Sequence, residues 1–108
     1  MKLIIILDVG DREYKKIKEL FKESVSVFVD GRKKYLEAEY NHLQKIISAN
    51  KSARSGIMIM RFSGDHEIAK EIGDESNELV VFMSANKDNP CYVDNREDVI
   101  RKLIETIE

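Results

Sequence analysis

Three aspartates at the ends of apolar runs are the side chains whose types and spacing could support catalysis. Asp8 and Asp11 end the first run, and Asp65 follows the second. Mg²⁺ prefers carboxylate oxygens as ligands, and a bound cation would offset the repulsion among clustered carboxylates. One hypothesis is therefore a magnesium site of a nuclease or phosphotransfer enzyme, formed by these three residues with Asp30 or Glu67 beside them.

The same aspartates also have a structural interpretation. Asp11 and Asp65 each follow a glycine where a helix is expected to begin, and an aspartate there caps the first backbone N–H groups. Asp30 precedes Gly31 in a turn signal, so only Asp8 is left without a structural explanation. The sequence favours caps and turns, and the metal hypothesis stays open as the alternative.

Other reactive side chains lack partners at a useful spacing. His66 stands between two acids, but it falls in the expected first turn of a helix, and His42 falls on the polar side of another helix. The single cysteine, Cys91, excludes an internal disulfide, and it has no histidine close in sequence. Neither glycine-containing turn has the spacing of a nucleotide-binding loop. These residues therefore predict no catalytic site and no cofactor.

Apolar periodicity predicts four strands that alternate with four helices. The expected strands are 3–9, 25–29, 57–62 and 79–83. The first helix, 11–23, carries the apolar stripe Tyr14, Ile17, Leu20 and Phe21. The second carries Leu36, Tyr40, Leu43, Ile46 and Ile47, and the short third helix carries Ile68, Ala69 and Ile72, with Gly73 as its C-terminal cap. The last helix is 96–108.

This alternation predicts a single α/β domain over residues 1–108. Right-handed crossovers then give a three-layer, four-stranded parallel sheet with helices on both faces, which is flavodoxin-like or receiver-like, with strand order 2-1-3-4. Ligands of such sheets bind beyond the carboxyl ends of the strands. Asp8, Asp11, Asp30 and Asp65 are all expected at that edge.

The last helix is the second candidate site. Its apolar stripe consists of Val99, Ile100, Leu103, Ile104 and Ile107. Such a stripe must cover either the domain's own sheet or a helix of another protein. In the second case these five residues would form the partner-binding surface.

Composition narrows the possible partners. The formal net charge is −2, so there is no overall basic field of the kind that attracts nucleic acid. The basic clusters at 32–34 and 51–54 lack interleaved aromatic residues, so nucleic acid is not indicated. No apolar run is long enough to span a membrane, and no signal peptide is recognisable. We therefore expect a cytoplasmic protein without membrane insertion.

Several short motifs resemble the F subunit of the archaeal and vacuolar-type rotary ATPases. The matching stretches are Val9-Gly10-Asp11, the GIMIM strand with His66-Glu67-Ile68-Ala69 after it, and SANKDNPCYVDNREDVIRKL from Ser84 to Leu103. The resemblance implies a small α/β domain on the central stalk of an ion-transporting ATPase. It also implies that the protein is no enzyme and binds a coiled-coil shaft subunit through the helix 96–108.

Together these features favour a small, non-catalytic α/β binding or coupling module with a protein partner. An ATPase subunit is the particular form that the resemblance suggests. The alternative is a magnesium-dependent nuclease or phosphotransfer enzyme that uses Asp8, Asp11 and Asp65. The sequence leaves the oligomeric state undetermined.

Overall fold

A computed structural model describes residues 2–30, 40–62, 66–75 and 78–107, without the side chains of Tyr40, His42, His66, Ile68 and Ala69. The strands are β1 (Leu3–Asp8), β2 (Val27–Asp30), β3 (Ile57–Arg61) and β4 (Leu79–Ser84). The helices are α1 (Asp11–Phe21), α2 (Tyr40–Ala49), α3 (His66–Glu75) and α4 (Arg96–Ile107). Leu36 and Asp65 lie outside the described residues. Within these ranges, no helix is long and apolar enough to cross a membrane.

The four strands form one parallel sheet, which confirms the predicted α/β class. β1 lies between β3 and β4, with Leu3 opposite both Ile57 and Leu79, and among the described strands β2 pairs only with β3. The strand order is therefore β2-β3-β1-β4. The predicted order, 2-1-3-4, is wrong in exchanging the two central strands.

The exchange has a physical reason. Both orders place the most apolar strands, β1 and β3, in the centre and the less buried β2 and β4 at the edges. In both orders, the chain crosses the sheet in one direction from β1 to β2. It then crosses in the opposite direction from β2 to β3 and on to β4. Right-handed crossovers then put the helices on the same faces in either case. Neither burial pattern nor connection length therefore distinguishes the two orders.

Two apolar clusters fill the space on either side of the sheet. On one face, β1 side chains such as Leu3, Ile5 and Leu7 pack with α1 and α4. On the other face, Ile4 and Ile6 pack with α2 and α3. Because successive side chains of β1 alternate between the clusters, the strand is buried on both faces, as its unbroken apolar run predicts.

Two local predictions are wrong. Leu20 is 46% exposed, because it lies about 120° around the helix from Tyr14, beyond the face that meets the sheet. Gly73 lies inside α3 instead of capping its end. A Cβ atom at Gly73 would lie 3.6 Å from the Cβ atom of Val80, so this glycine lies where α3 packs closely on β4.

Candidate functional site at two edges of the sheet

The carboxyl edge of the central strands is the first place to look for a ligand site. β1 and β3 are neighbours, but α1 follows β1 on one face and α3 follows β3 on the other. Ligands of open parallel sheets bind in the crevice where consecutive connections diverge in this way. The crevice therefore lies beyond Asp8 and Arg61, the last residues of these strands.

Arg61 dominates the charge at this crevice. Its Nε donates a hydrogen bond to the Val9 carbonyl oxygen at 3.0 Å. Its Nη1 lies 3.4 Å from Asp11 Oδ1 and 3.6 Å from Asp30 Oδ1. One guanidinium group therefore lies between two of the predicted carboxylates and offsets their repulsion without a metal ion.

Asp11 does not cap α1, contrary to the sequence prediction. The N-cap is Gly10, in an extended conformation and without a side-chain capping bond. Asp11 is the first helical residue, and its carboxylate lies 3.1 Å from Lys15 Nζ, one turn along the helix. An acid in the first turn stabilises the helix through the macrodipole, so Asp11 supports the helix start by charge.

Asp8 has a structural partner across the edge. The hydroxyl of Ser84, a fully buried residue, donates to Asp8 Oδ2 at 2.8 Å and accepts from the backbone N–H of Asn86 at 3.0 Å. Asp8 thereby fixes the chain as it leaves β4. Among residues that the structure describes, no group of three or more His, Cys, Asp or Glu side chains could hold a metal ion. Since Asp65 lies outside them, the three-aspartate metal site stays a prediction.

Tyr14 lies below the same crevice with an unusual hydroxyl. The residue is 3% exposed, and its hydroxyl has no hydrogen-bond partner among the described groups. Burial raises the pKa of the phenol to about 12, and the charge of Asp30 adds to the rise while Arg61 opposes it. The hydroxyl is therefore protonated at neutral pH and destabilises the core that contains it.

A second ion pair ties α1 to α4. The Arg96 guanidinium donates two hydrogen bonds to the Glu13 carboxylate, at 2.5 and 2.6 Å, and a third to the Val93 carbonyl at 2.7 Å. The hydrogen bond to Glu13 raises the pKa of Arg96. This geometry holds the start of α4 against the first turns of α1.

The apolar stripe of α4 packs on the domain's own sheet. Ile100 and Ile104 are buried. The other three predicted partner-binding residues, Val99, Leu103 and Ile107, are partly buried against the same cluster. Of the two alternatives for this helix, packing on the domain's own sheet is therefore the one observed. The stripe is not an open surface.

The outer edge of β4 is the second place where a ligand could bind. Backbone N–H groups of Leu79 and Ala85 bond to β1, at Lys2 and Asp8. Since a strand's backbone groups alternate in direction, those of Val80, Phe82 and Ser84 point away from β1. Ser84 bonds on that side to the backbone at 91–93. The outward groups of Val80 and Phe82 have no strand beside them in the described sheet.

A groove runs along this edge between β4 and α3. Its apolar walls are Val80 and Phe82 from the strand, with Gly73 and Cys91 beside them, and its charged lining residues are Lys70, Asp74 and Glu78. Leu79, at the start of the strand, is 49% exposed. An apolar edge strand without proline, whose outward backbone groups have no neighbouring strand among the described residues, is a template for adding another strand. We call this surface the β4 edge.

Neither Arg61 nor the β4 edge is found by searching the sequence for reactive residue types. The sequence does contain a signal for Arg61, because a cation at the end of an otherwise apolar strand needs charged or polar partners. The β4 edge had none, because a strand's position in the sheet depends on pairing and not on composition. Comparison with protein-family models, curated proteins and solved structures finds no match to this chain.

Proposed function

We propose that this protein is a non-catalytic binding module that adds an extended segment of a partner protein to the β4 edge. The observation that carries the proposal is the row of outward backbone groups at Val80 and Phe82 beside a partly apolar groove. Recognition by strand addition takes its affinity from main-chain hydrogen bonds and its specificity from adjacent pockets.

The β4 edge offers enough bonding for a short segment. Val80 and Phe82 each present one N–H donor and one C=O acceptor, so an added strand gains about four hydrogen bonds, each contributing about 0.5–1.5 kcal/mol. The backbone at 91–93 closes the edge beyond Phe82. The added segment therefore ends near Cys91.

The carboxyl edge supports this choice by contrast. Arg61 pairs with both Asp11 and Asp30, and Asp8 accepts from Ser84. A catalytic role would require these groups to exchange their present partners for substrate. Strand addition at β4 requires no such exchange.

Membership of a rotary ATPase stalk stays a prediction of the sequence resemblance. A shaft contact through the stripe of α4 would require this helix to leave the core that Ile100 and Ile104 complete. Strand addition leaves α4 in place, so the proposal does not depend on that assignment.

Amide exchange and peptide binding test the proposal on the intact protein. In the free protein, the amides of Val80 and Phe82 should exchange quickly, while those of Val81 and Met83 are protected by β1. The probes are ten-residue peptides that alternate valine with threonine, lysine or glutamate. At least one should bind, slow exchange at Val80 and Phe82, and lose affinity when Val80→Pro removes an outward N–H.

The matched control is Val29→Thr on β2, at the opposite edge of the sheet, which should leave peptide binding unchanged. If none of the peptides binds and both outward amides exchange quickly, strand addition is wrong. Protected amides in the free protein together with a dimeric mass would instead show that a second copy occupies the edge.

A further inference from the structure

Building on the proposed strand addition, we infer that the segment bound at the β4 edge is basic, with lysine or arginine side chains that reach the C-terminal end of α3. This inference concerns the charge of the partner's side chains, whereas strand addition itself depends on backbone hydrogen bonds. The two are tested by different changes.

The charge of α3 is the first argument. Four of its side chains are carboxylates and one is an ammonium group, and all five are exposed: Glu67, Lys70, Glu71, Asp74 and Glu75. The helix therefore presents a predominantly negative surface beside the strand. A segment seated along β4 passes next to this surface.

The direction of α3 is the second argument. The last turn of the helix contains no basic residue, although its carbonyl ends carry the negative pole of the macrodipole. Asp74 lies in that turn and lines the groove, as does Glu78 before the strand. Lys70, one turn earlier on α3, also lines the groove, so carboxylates outnumber ammonium groups in its walls by two to one. The close approach of Gly73 to Val80 brings this pole next to the outward backbone groups. A cation from the partner would interact with the carboxylates and the pole together.

The same charges disfavour a second copy as the occupant. Two chains joined antiparallel through β4 would bring their α3 helices side by side. Each helix would then face four carboxylates and one ammonium group of the other. Like charges at short range weaken such an association, so a basic segment fits the edge better than another copy of the chain.

The alternating valine peptides separate the two proposals. We expect the lysine peptide to bind about tenfold more tightly than the threonine peptide, as two or three partly exposed ion pairs would give. The glutamate peptide should bind most weakly. Added salt should reduce the preference for lysine, because exposed charges are screened.

Asp74→Lys should remove most of the preference for the lysine peptide while leaving the threonine peptide's affinity unchanged. The matched control is Glu105→Lys on α4, an exposed charge reversal distant from the groove. Equal affinity of the lysine and threonine peptides, with no effect of Asp74→Lys, would overturn the basic partner and leave strand addition intact. Absence of binding by all three peptides would overturn strand addition itself.

Discussion

The carboxyl edge and the β4 edge differ in how their polar groups are satisfied. At the carboxyl edge, charged side chains are numerous. Arg61 pairs with Asp11 and Asp30, and Ser84 separately donates to Asp8. At the β4 edge, the polar groups are backbone amides and carbonyls with no neighbouring strand among the described residues. Reactive residue types are therefore most abundant where they already have partners within the protein.

The difference shows that residue type alone is a poor guide to a site in this protein. A cluster of acids can be a device for ending strands and starting helices. A strand without any charged residue can be the more available surface. The following changes test that contrast, from the largest expected effect to the smallest.

Proline at adjacent positions of β4 should have very different effects. Val81→Pro removes an N–H that bonds to β1 and should lower the free energy of unfolding by about 3 kcal/mol. Val80→Pro removes an outward N–H, and edge strands tolerate proline in that orientation, so we expect a loss below about 1 kcal/mol. Urea unfolding of both variants measures the difference. Equal losses would mean that the outward groups are paired in the native protein.

Ser84→Ala should destabilise the carboxyl edge by about 2 kcal/mol. The change removes the hydrogen bonds that Ser84 makes to the half-buried Asp8 carboxylate and to the Asn86 N–H, and a hydrogen bond to a charged group contributes about 1.5–3 kcal/mol. Chemical denaturation provides the measurement. Adding Asp8→Ala to the variant gives a double-mutant cycle, in which strictly additive losses would contradict the Asp8–Ser84 bond.

Arg61→Met should lower stability by about 1 kcal/mol. Methionine keeps the apolar stem, but the Val9 carbonyl loses a donor and two carboxylates lose their shared cation. Much of the ion pairing is exposed to solvent, which limits the loss. Thermal unfolding in low and high salt measures it. If the loss does not depend on salt, the carboxylates are not the source of the effect.

Tyr14→Phe should leave stability unchanged or raise it by up to about 1 kcal/mol at neutral pH, because it removes an unpartnered buried hydroxyl. The native pKa of about 12 lies above the ordinary value of 10. Below pH 10 the phenol is protonated in both states. Between pH 10 and about 12 the unfolded chain releases the proton first, so the free energy of unfolding of the wild type falls as the pH rises through this range. Unfolding across that range should show a steeper decline in the wild type than in Tyr14→Phe. Identical pH profiles would contradict the raised pKa.

Magnesium should have the smallest effect. Asp8 and Asp11 have intramolecular partners, so we expect no site-specific amide shifts when Mg²⁺ or Mn²⁺ is added. Amide NMR of the folded protein measures this directly. Shifts or broadening confined to Asp8, Asp11 and Asp65 would instead favour the metal-dependent enzyme.

Much of the architecture was predictable from apolar spacing. The run Leu3 to Leu7 indicates a strand buried on both faces, and the stripe through Ile100 and Ile104 indicates the last helix. Strand order was not predictable, because both orders satisfy the same burial and the same helix faces. Pairing between distant segments decides it, as in the register of Leu3 with Ile57.

The candidate sites were less predictable than the fold. The expected convergence of Asp8, Asp11 and Asp30 on one edge is correct in outline. Their roles depend on Arg61, whose side chain crosses from β3 to the Val9 carbonyl. Sequence spacing alone does not fix where a long, flexible side chain will end. The β4 edge was not predictable for a different reason. A strand lies at an edge when no other strand pairs with one of its sides, and the strand's own sequence does not show this.

The strand order also governs when the sheet can assemble as the chain is made. β1 pairs only with β3 and β4, and β2 pairs only with β3. β1 and β2 leave the ribosome before β3 and are not paired with each other, so pairing of these strands begins only after Ile57 has emerged. Until then, both edges of the apolar β1 lack a strand partner, and unpaired strand edges are prone to aggregation. Strand pairing in the N-terminal half therefore depends on strands of the C-terminal half.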